Sequence, residues 1–163
     1  MTENPYLKDD RLADVISAIT ALGTYKFYKM DFAGWSDRIS GSVANAKHWK
    51  TVFAEHREFF RIDSKGERAS LVWRRQKPKT FNVDTLNEIL PKDVKNLNTQ
   101  EILRYSRTPL AASEVAALID TAIRLHEAAL SRRESNRWLV TLITGFIGAV
   151  VGSSIGQVIG LFK

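Results

Sequence analysis

The stretch FFRIDSKGERASLVWRR, from Phe59 to Arg75, combines two strand-like runs with a turn between them. Residues 59–62 and 69–73 are rich in aromatic and branched side chains, which favour β-strands. The intervening residues 64–67 (SKGE) are typical of a turn and include a glycine. This pattern predicts a β-hairpin. Trp73, at the end of the second run, is expected in the core rather than on a surface that stacks bases.

Three helices are predicted before this hairpin. Their sequences are DDRLADVISAITALGTY, DFAGWSDRIS and NAKHWKTVFAEHREF. Apolar residues recur three or four positions apart in each, and Asp9 or Asp10 can cap the first helix as Asp31 can cap the second. The alternating run YKFYKM between the first two helices predicts a small strand. The third helix is expected to bury Trp49, Val52, Phe53 and His56.

Helix, strand, helix, helix and hairpin is the element order of a winged-helix domain, and residues 9–77 resemble that fold in this pattern. The resemblance implies binding of DNA through the third helix and the hairpin, or wing. Winged-helix folds also dock onto proteins, so the class of partner stays open. The predicted fold class is mainly α with a small β-hairpin, comprising a winged-helix-like N-terminal domain, bridging helices and one long C-terminal helix.

Positive charge is concentrated around the hairpin. The chain has 24 Lys and Arg against 18 Asp and Glu, and residues 61–79 hold seven basic and two acidic residues. Clustered cations bind phosphates, which makes nucleic acid a candidate partner, although Glu55, Glu58 and Glu67 lie among them. A protein or anionic lipid headgroups are the alternatives. The candidate contacts are Lys47, His48, Lys50, Thr51 and Arg57 on the third helix, and Lys65, Arg68, Arg74, Arg75, Lys77 and Lys79 on the wing.

The chain divides into four predicted segments: a winged-helix-like domain (1–79), a bridging segment (80–109), a juxtamembrane amphipathic helix (110–137) and a transmembrane helix (138–162). In the bridging segment, VDTLNEILP and NTQEILRYS predict two short helices, the second with a capping box from Asn98 to Glu101. The juxtamembrane helix spaces apolar residues alternately three and four apart, which predicts a short heptad-like seam. The seam consists of Val115, Leu118, Ala122, Leu125 and Ala129.

Residues 138–162 form a run of 25 residues without a charge. As a helix the run is about 37 Å long, enough to cross a hydrocarbon core of about 30 Å. Arginines precede the run and only Lys163 follows it, which predicts that the N-terminal part faces the cytoplasm. We therefore expect a single-pass, tail-anchored protein of the cytoplasmic (inner) membrane. The residues that orient it are Arg132, Arg133, Arg137 and the interfacial Trp138.

Small residues recur along one face of this run. Five glycines lie on or beside an arc of about 120°, and in lipid such residues let helix backbones approach closely. The pattern predicts a homo-oligomer joined through Gly145, Gly148, Gly152, Gly156 and Gly160. Uncharged polar side chains near the arc either hydrogen-bond between helices or line a pore. These side chains are Thr141, Thr144, Ser153 and Gln157.

The sequence contains no pattern typical of catalysis. His48, His56 and His126 share no metal-ligand spacing with carboxylates, and there is no phosphate-binding glycine loop. The chain has no cysteine, which excludes disulfides and thiolate sites. We expect a non-enzymatic binding module without metal or cofactor, tethered to the membrane, that contacts nucleic acid or a protein encoded by a neighbouring gene. The alternative is a membrane effector whose oligomerised C-terminal helices form a pore, in a defence or toxin-like role.

Overall fold

The computed structural model describes residues 4–135, which form a mainly helical fold with a small antiparallel sheet. The helices are α1 (Arg11–Thr24), α2 (Phe32–Ser40), α3 (Ala46–Glu55), α4 (Thr99–Ile102) and α5 (112–135). The strands are β1 (Lys29–Asp31), β2 (Phe60–Ile62), β3 (Arg68–Leu71), β4 (Phe81–Asn82) and β5 (Tyr105–Ser106).

The first three helices enclose the core together with β1, β2 and β3. Trp35 of α2 is fully buried, and its Nε1–H donates to the carbonyl of Ala69 in β3 at 2.9 Å. Phe53 of α3 packs edge-on against Phe60 of β2, with ring centroids 5.0 Å apart. Aromatic burial of this size dominates the packing energy of a small core. The predicted inward stripe of α3 is confirmed for Trp49, Val52, Phe53 and His56.

Of the side-chain caps predicted for the first two helices, the cap of α2 forms and that of α1, assigned to Asp9 or Asp10, does not. Asp31 caps α2, because its Oδ1 accepts the N–H of Gly34 at 2.7 Å. Asp10 precedes α1 in a left-handed conformation (φ +57°), and its side chain accepts no hydrogen bond from the helix. The prediction of a side-chain cap at Asp10 is therefore wrong. The carbonyl of Lys8 instead accepts the N–H of Arg11 at 3.2 Å, so the chain enters α1 through a backbone turn.

The predicted hairpin forms from β2 and β3. The two strands pair antiparallel with Arg61 opposite Ser70, and β1 adds to the other edge of β3 with Met30 opposite Ala69. The strand order is β1-β3-β2. The second strand is shorter than predicted, since it ends at Leu71 and not at residue 73.

The Asp63 carboxylate closes the turn of this hairpin. Its Oδ1 accepts the N–H groups of Glu67 at 3.0 Å and Arg68 at 3.3 Å, and its Oδ2 pairs with Lys29 of β1 at 3.0 Å. Gly66 adopts φ +72°, a conformation that glycine accepts without steric cost. Hydrogen bonds to the charged form, first of all from Glu67, lower the pKa of Asp63 to about 2.

A 3₁₀ turn after β3 places Arg74 inside the protein, where its side chain is fully buried. Its Nη1 donates to three carbonyls near the end of α1, and its Nη2 and Nε donate to two carbonyls in the segment before α5. The distances are 2.9 Å to Leu22, 2.6 Å to Tyr25, 3.4 Å to Phe27, 2.6 Å to Arg107 and 3.2 Å to Thr108. Arg74 thus joins three parts of the chain that are distant in sequence.

Two properties make an arginine suitable at this position. The guanidinium offers five N–H donors and no acceptor, which matches a site lined by carbonyl oxygens. The carbonyls of Leu22 and Tyr25 lie at the C-terminal end of α1, where the helix dipole favours a cation. Burial lowers the pKa of Arg74 to about 10, so the group stays charged at neutral pH.

The bridging segment is folded differently from the prediction in its first half. Residues 83–91, predicted as a helix, form no helix. Instead, the Asn82 side chain accepts N–H bonds from Asp84 and Thr85, Leu86 has φ +58°, and β4 pairs with β5. In the second half, α4 begins with the predicted capping box between Asn98 and Glu101, but the helix ends at Ile102 and Tyr105–Ser106 form β5 in place of the predicted last turn.

The α5 helix packs onto the same core as α1. A Cβ placed on Gly23 would lie 3.2 Å from Val115 Cγ2, which shows how closely the two helices approach. The N–H of Leu110 donates to the Gly23 carbonyl at 2.9 Å. Four of the five predicted seam residues are buried in this contact, and Leu125 is the exposed exception. The seam therefore packs within the chain.

No helix within residues 4–135 combines the length and the apolar character needed to cross a membrane. Arg132 and Arg133 are exposed near the end of the described part of α5. The predicted transmembrane segment 138–162 lies outside the described residues. The same is true of Arg137, Trp138, Gly145, Gly148, Gly152, Gly156, Gly160, Thr141, Thr144, Ser153 and Gln157.

Replacing Arg74 by Met should destabilise the fold strongly. The change leaves five carbonyls without their donor, and breaking a buried charged network costs about 3–5 kcal/mol of unfolding free energy. Urea denaturation of the full chain, followed by tryptophan fluorescence, measures this loss. The matched control Arg75→Met removes an exposed cation from the neighbouring position and should change the unfolding free energy by less than about 0.5 kcal/mol. Equal stability of the two variants would contradict the assigned role of Arg74.

Asp63→Asn should remove a pH-dependent stabilisation. Because the pKa of Asp63 is lowered from 3.8 to about 2 in the folded protein, the stabilisation is present above the ordinary value and is lost as the pH falls through the folded value. The wild-type urea midpoint should therefore exceed that of Asp63→Asn at neutral pH, and the gap should close between about pH 4 and pH 2. For the exposed Asp37, an Asp37→Asn variant should follow the wild type throughout. A gap that persists at pH 2 would count against this role.

Candidate nucleic-acid interface

Helix α3 has a buried side and a solvent side. The predicted contact residues Lys47, His48, Lys50, Thr51 and Arg57 are all exposed, on α3 or just after it. Lys47 and Lys50 lie three positions apart, which brings them to one side of α3, and Arg57 follows the end of the helix. The Lys50 ammonium lies 5.3 Å from the centre of the Phe32 ring, which orients it through a cation–π contact.

Two acidic residues of this region, Glu55 and Glu58, are held by the N-terminal segment. Glu55 pairs with Lys8 at 2.5 Å and with the buried Arg11 at 3.1 Å. Glu58 accepts a hydrogen bond from the Tyr6 hydroxyl, and its Oε1 lies 3.1 Å from Nδ1 of His56. Both carboxylates are thus partnered within the fold.

The electrostatics of the Glu58 cluster keep that carboxylate charged. Burial acts to raise the pKa of Glu58, but hydrogen bonds from His56 and Tyr6 outweigh it and lower the pKa overall. Burial and the bond to Glu58 raise the pKa of the Tyr6 hydroxyl, which therefore stays protonated and donates. The Tyr6 ring also packs edge-on against His56, with centroids 4.5 Å apart. This cluster fixes the N-terminal segment onto the end of α3.

His48 contributes less to the basic surface than the sequence suggests. Its Nε2 lies 3.0 Å from Oδ2 of Asp14 on α1, which ties the ring to the neighbouring helix. The Thr51 hydroxyl donates to the Lys47 carbonyl at 3.1 Å and retains its acceptor capacity. Lys47, Lys50 and Arg57 are therefore the cations of α3 that face solvent without an acidic partner among the described residues.

Arg61 extends this surface and was not among the predicted contact residues. It is the exposed residue of β2, between the buried Phe60 and the partly buried Ile62. Alternation along a strand puts successive side chains on opposite faces, and that signal is present in the sequence FRI. We call the exposed cations Lys47, Lys50, Arg57 and Arg61 the basic stripe. Arg57 and Arg61 line one cavity, and Lys50 contacts Phe32, which stacks on the cavity residue Phe53. Lys65 and Arg68, at the tip of the hairpin, are also exposed.

The predicted wing residues beyond β3 do not lie on the hairpin. Arg74 is buried and bound to five carbonyls, so its prediction as a surface contact is wrong. Lys77 pairs with Glu114 of α5 at 2.8 Å. Lys79 lies 5.7 Å from the centre of the Tyr28 ring, whose other cationic neighbour is Arg107 at 5.2 Å. Arg75 is exposed on the 3₁₀ turn. The structure thus separates these four residues from the hairpin.

Trp73 is 42% exposed, so its predicted burial is wrong. The 3₁₀ turn that begins at this residue directs Arg74 inward in its place. Within residues 4–135, no group of three or more His, Asp or Glu side chains is arranged to hold a metal ion.

Comparisons of the chain with protein-family models, with curated proteins and with solved structures found no match. The chemistry of the basic stripe is accordingly inferred from its own geometry and charge. Exposed amines and guanidinium groups without acidic partners bind phosphate or carboxylate oxygens, and arginine does so with two parallel hydrogen bonds.

Proposed function

We propose that this chain is a non-enzymatic binding module, tethered to the cytoplasmic membrane, that contacts nucleic acid through the basic stripe and the hairpin tip. In this proposal residues 9–77 act as a winged-helix-like domain. The arrangement of α1, α2 and α3 before a β2–β3 hairpin supports that interpretation, as does the pairing of β1 with β3.

The observation that carries the proposal is the separation of charge around α3. Glu55 is paired with Lys8 and Arg11, and Glu58 is hydrogen-bonded to Tyr6 and His56, whereas the residues of the basic stripe are exposed and have no acidic partner within residues 4–135. Uncompensated cations on one face of a helix are an electrostatic footprint for phosphates. An acidic protein surface would offer the same charge complementarity, so the salt dependence of DNA binding has to distinguish the two partners.

The geometry suggests how the contact is made. In a winged-helix module the third helix enters the major groove while the wing reaches the backbone. Lys47 and Lys50 would then meet phosphates along the groove edge. Lys65 at the hairpin tip would contact the backbone at a second point, because the turn that carries it is held rigid by Asp63.

Lys47→Ala combined with Lys50→Ala should weaken binding of a fluorescein-labelled 20-base-pair DNA duplex to the full chain. Each phosphate contact contributes about 1 to the slope of log K against log salt concentration, so the slope should fall by about 2. Anisotropy titrations from 50 to 200 mM salt measure both affinity and slope.

The matched control is Lys92→Ala combined with Lys95→Ala, which removes two exposed lysines from the bridging segment. It lowers the net charge equally but should leave the slope unchanged. Equal losses in the two double variants would mean that only net charge matters. Absent or salt-insensitive binding by the wild type would reject nucleic acid as the partner and favour a protein.

The tether is proposed on the sequence of residues 138–162, which is uncharged and long enough to cross a bilayer. The glycines at every fourth position support self-association of that segment.

A chain ending at Arg137 should be found in the soluble fraction of lysed cells, whereas the full chain should pellet with the membranes. Gly152→Leu plus Gly156→Leu should keep the full chain in the membrane but reduce its cross-linked oligomers, while Val150→Leu plus Val158→Leu should not. Pelleting of the shortened chain would reject the tether.

A further inference from the structure

A cavity of about 270 Å³ lies beside the basic stripe, between the end of α3 and β2. Phe53, Phe60 and Ile62 form its apolar lining, together with Ala54. Arg57 and Arg61 line the same cavity. Phe53 and Phe60 are themselves buried, so the accessible apolar surface of the cavity comes from the partly buried Ala54 and Ile62. The combination of apolar surface and planar cations is not required for binding a phosphate backbone.

The side chains of Arg57 and Arg61 differ in their hydrogen bonds. Arg57 donates from Nε to the Ala54 carbonyl at 3.3 Å, which fixes its guanidinium at the cavity edge and leaves its Nη groups available. The Arg61 guanidinium has no hydrogen-bond or ion-pair partner among residues 4–135. An arginine in this state can stack its plane on an aromatic ring and bind a phosphate with its N–H groups.

The size of the cavity limits its occupant. Pockets for drug-sized ligands measure roughly 300–1,000 Å³, so about 270 Å³ accommodates one ring system and excludes a long acyl chain or a peptide helix. A nucleobase is a flat ring system attached to a phosphate-bearing backbone. Its ring can contact Ala54 and Ile62 and stack on a guanidinium plane, and its phosphates match the N–H groups of Arg57 and Arg61.

We propose that this cavity receives one unpaired nucleobase, and that the basic stripe consequently prefers single-stranded nucleic acid to a duplex. The inference rests on the proposed function, which it deepens. In a duplex both faces of every base are covered by neighbouring bases, so a base enters a protein cavity only after unstacking. A single strand supplies splayed bases at little cost, and arginine planes and aromatic side chains bind them by stacking.

The test compares a 12-nucleotide single strand, carrying one 2-aminopurine among thymines, with the duplex of the same sequence. The full chain should bind the single strand about tenfold more tightly than the duplex at equal salt concentration. A tenfold difference in affinity is within the range of free energies gained by stacking one base on a protein side chain. The 2-aminopurine emission should also change on binding, because the base moves from a thymine stack into the cavity.

Two variants distinguish binding of a base in the cavity from a general effect of positive charge on affinity. Ala54→Leu fills the cavity without altering charge, and Arg61→Lys keeps the charge but removes the planar group. Ala54→Leu should reduce single-strand affinity to the level of the duplex and leave duplex affinity unchanged, and Arg61→Lys should reduce single-strand affinity more than duplex affinity. The matched control Ala117→Leu, on the exposed side of α5, should behave as the wild type. Because Arg61 is exposed, Arg61→Lys is expected to fold even if Ala54→Leu does not.

The outcomes are distinguishable from those of the proposed function. Binding of duplex and single strand with equal affinity, or variants that retain the single-strand preference, would overturn the base-binding cavity and leave the phosphate-binding stripe intact. If neither nucleic acid binds, the proposed function and this inference both fail.

Discussion

The buried guanidinium of Arg74 is the interaction on which the arrangement of the described chain depends. It donates to carbonyls at the end of α1, in the segment that leads to β1, and in the segment that leads to α5. None of these segments can bury its carbonyls in the core without a donor, since an unsatisfied buried polar group is costly. One cation therefore fixes the start of the sheet and the position of α5.

The acidic and the basic residues near α3 differ in their partners. The N-terminal segment supplies Lys8, Arg11 and Tyr6 to the carboxylates near the end of the helix. These contacts attach the N-terminal segment to the end of α3 and give both carboxylates partners within the fold. The exposed lysines and arginines of the basic stripe have no such acidic partners among residues 4–135.

Sequence patterns predicted the structure correctly where residues close together in the chain determine it. They predicted it wrongly where contacts between residues distant in the chain determine it. Helical spacing predicts the buried stripe of α3, and turn residues predict the hairpin. Arg74, in contrast, resembles its surface neighbours because the carbonyls that bind it lie some 30 to 50 positions away in the chain. Val83 and its neighbours look helical, yet pairing of β4 with β5 overrides that local preference. Arg61 was recoverable from strand alternation. Residues 138–162 lie outside the described fold, so the proposed tether rests on sequence alone.

Lysine footprinting of the full chain with and without DNA tests the central claim most directly. Acetylation followed by mass spectrometry measures the reactivity of each lysine in one experiment, so every site is compared under identical conditions. The account predicts that DNA protects Lys47, Lys50 and Lys65, and that Lys92 and Lys95 keep their reactivity. Uniform protection of all lysines, or protection confined to Lys77 and Lys79, would contradict it.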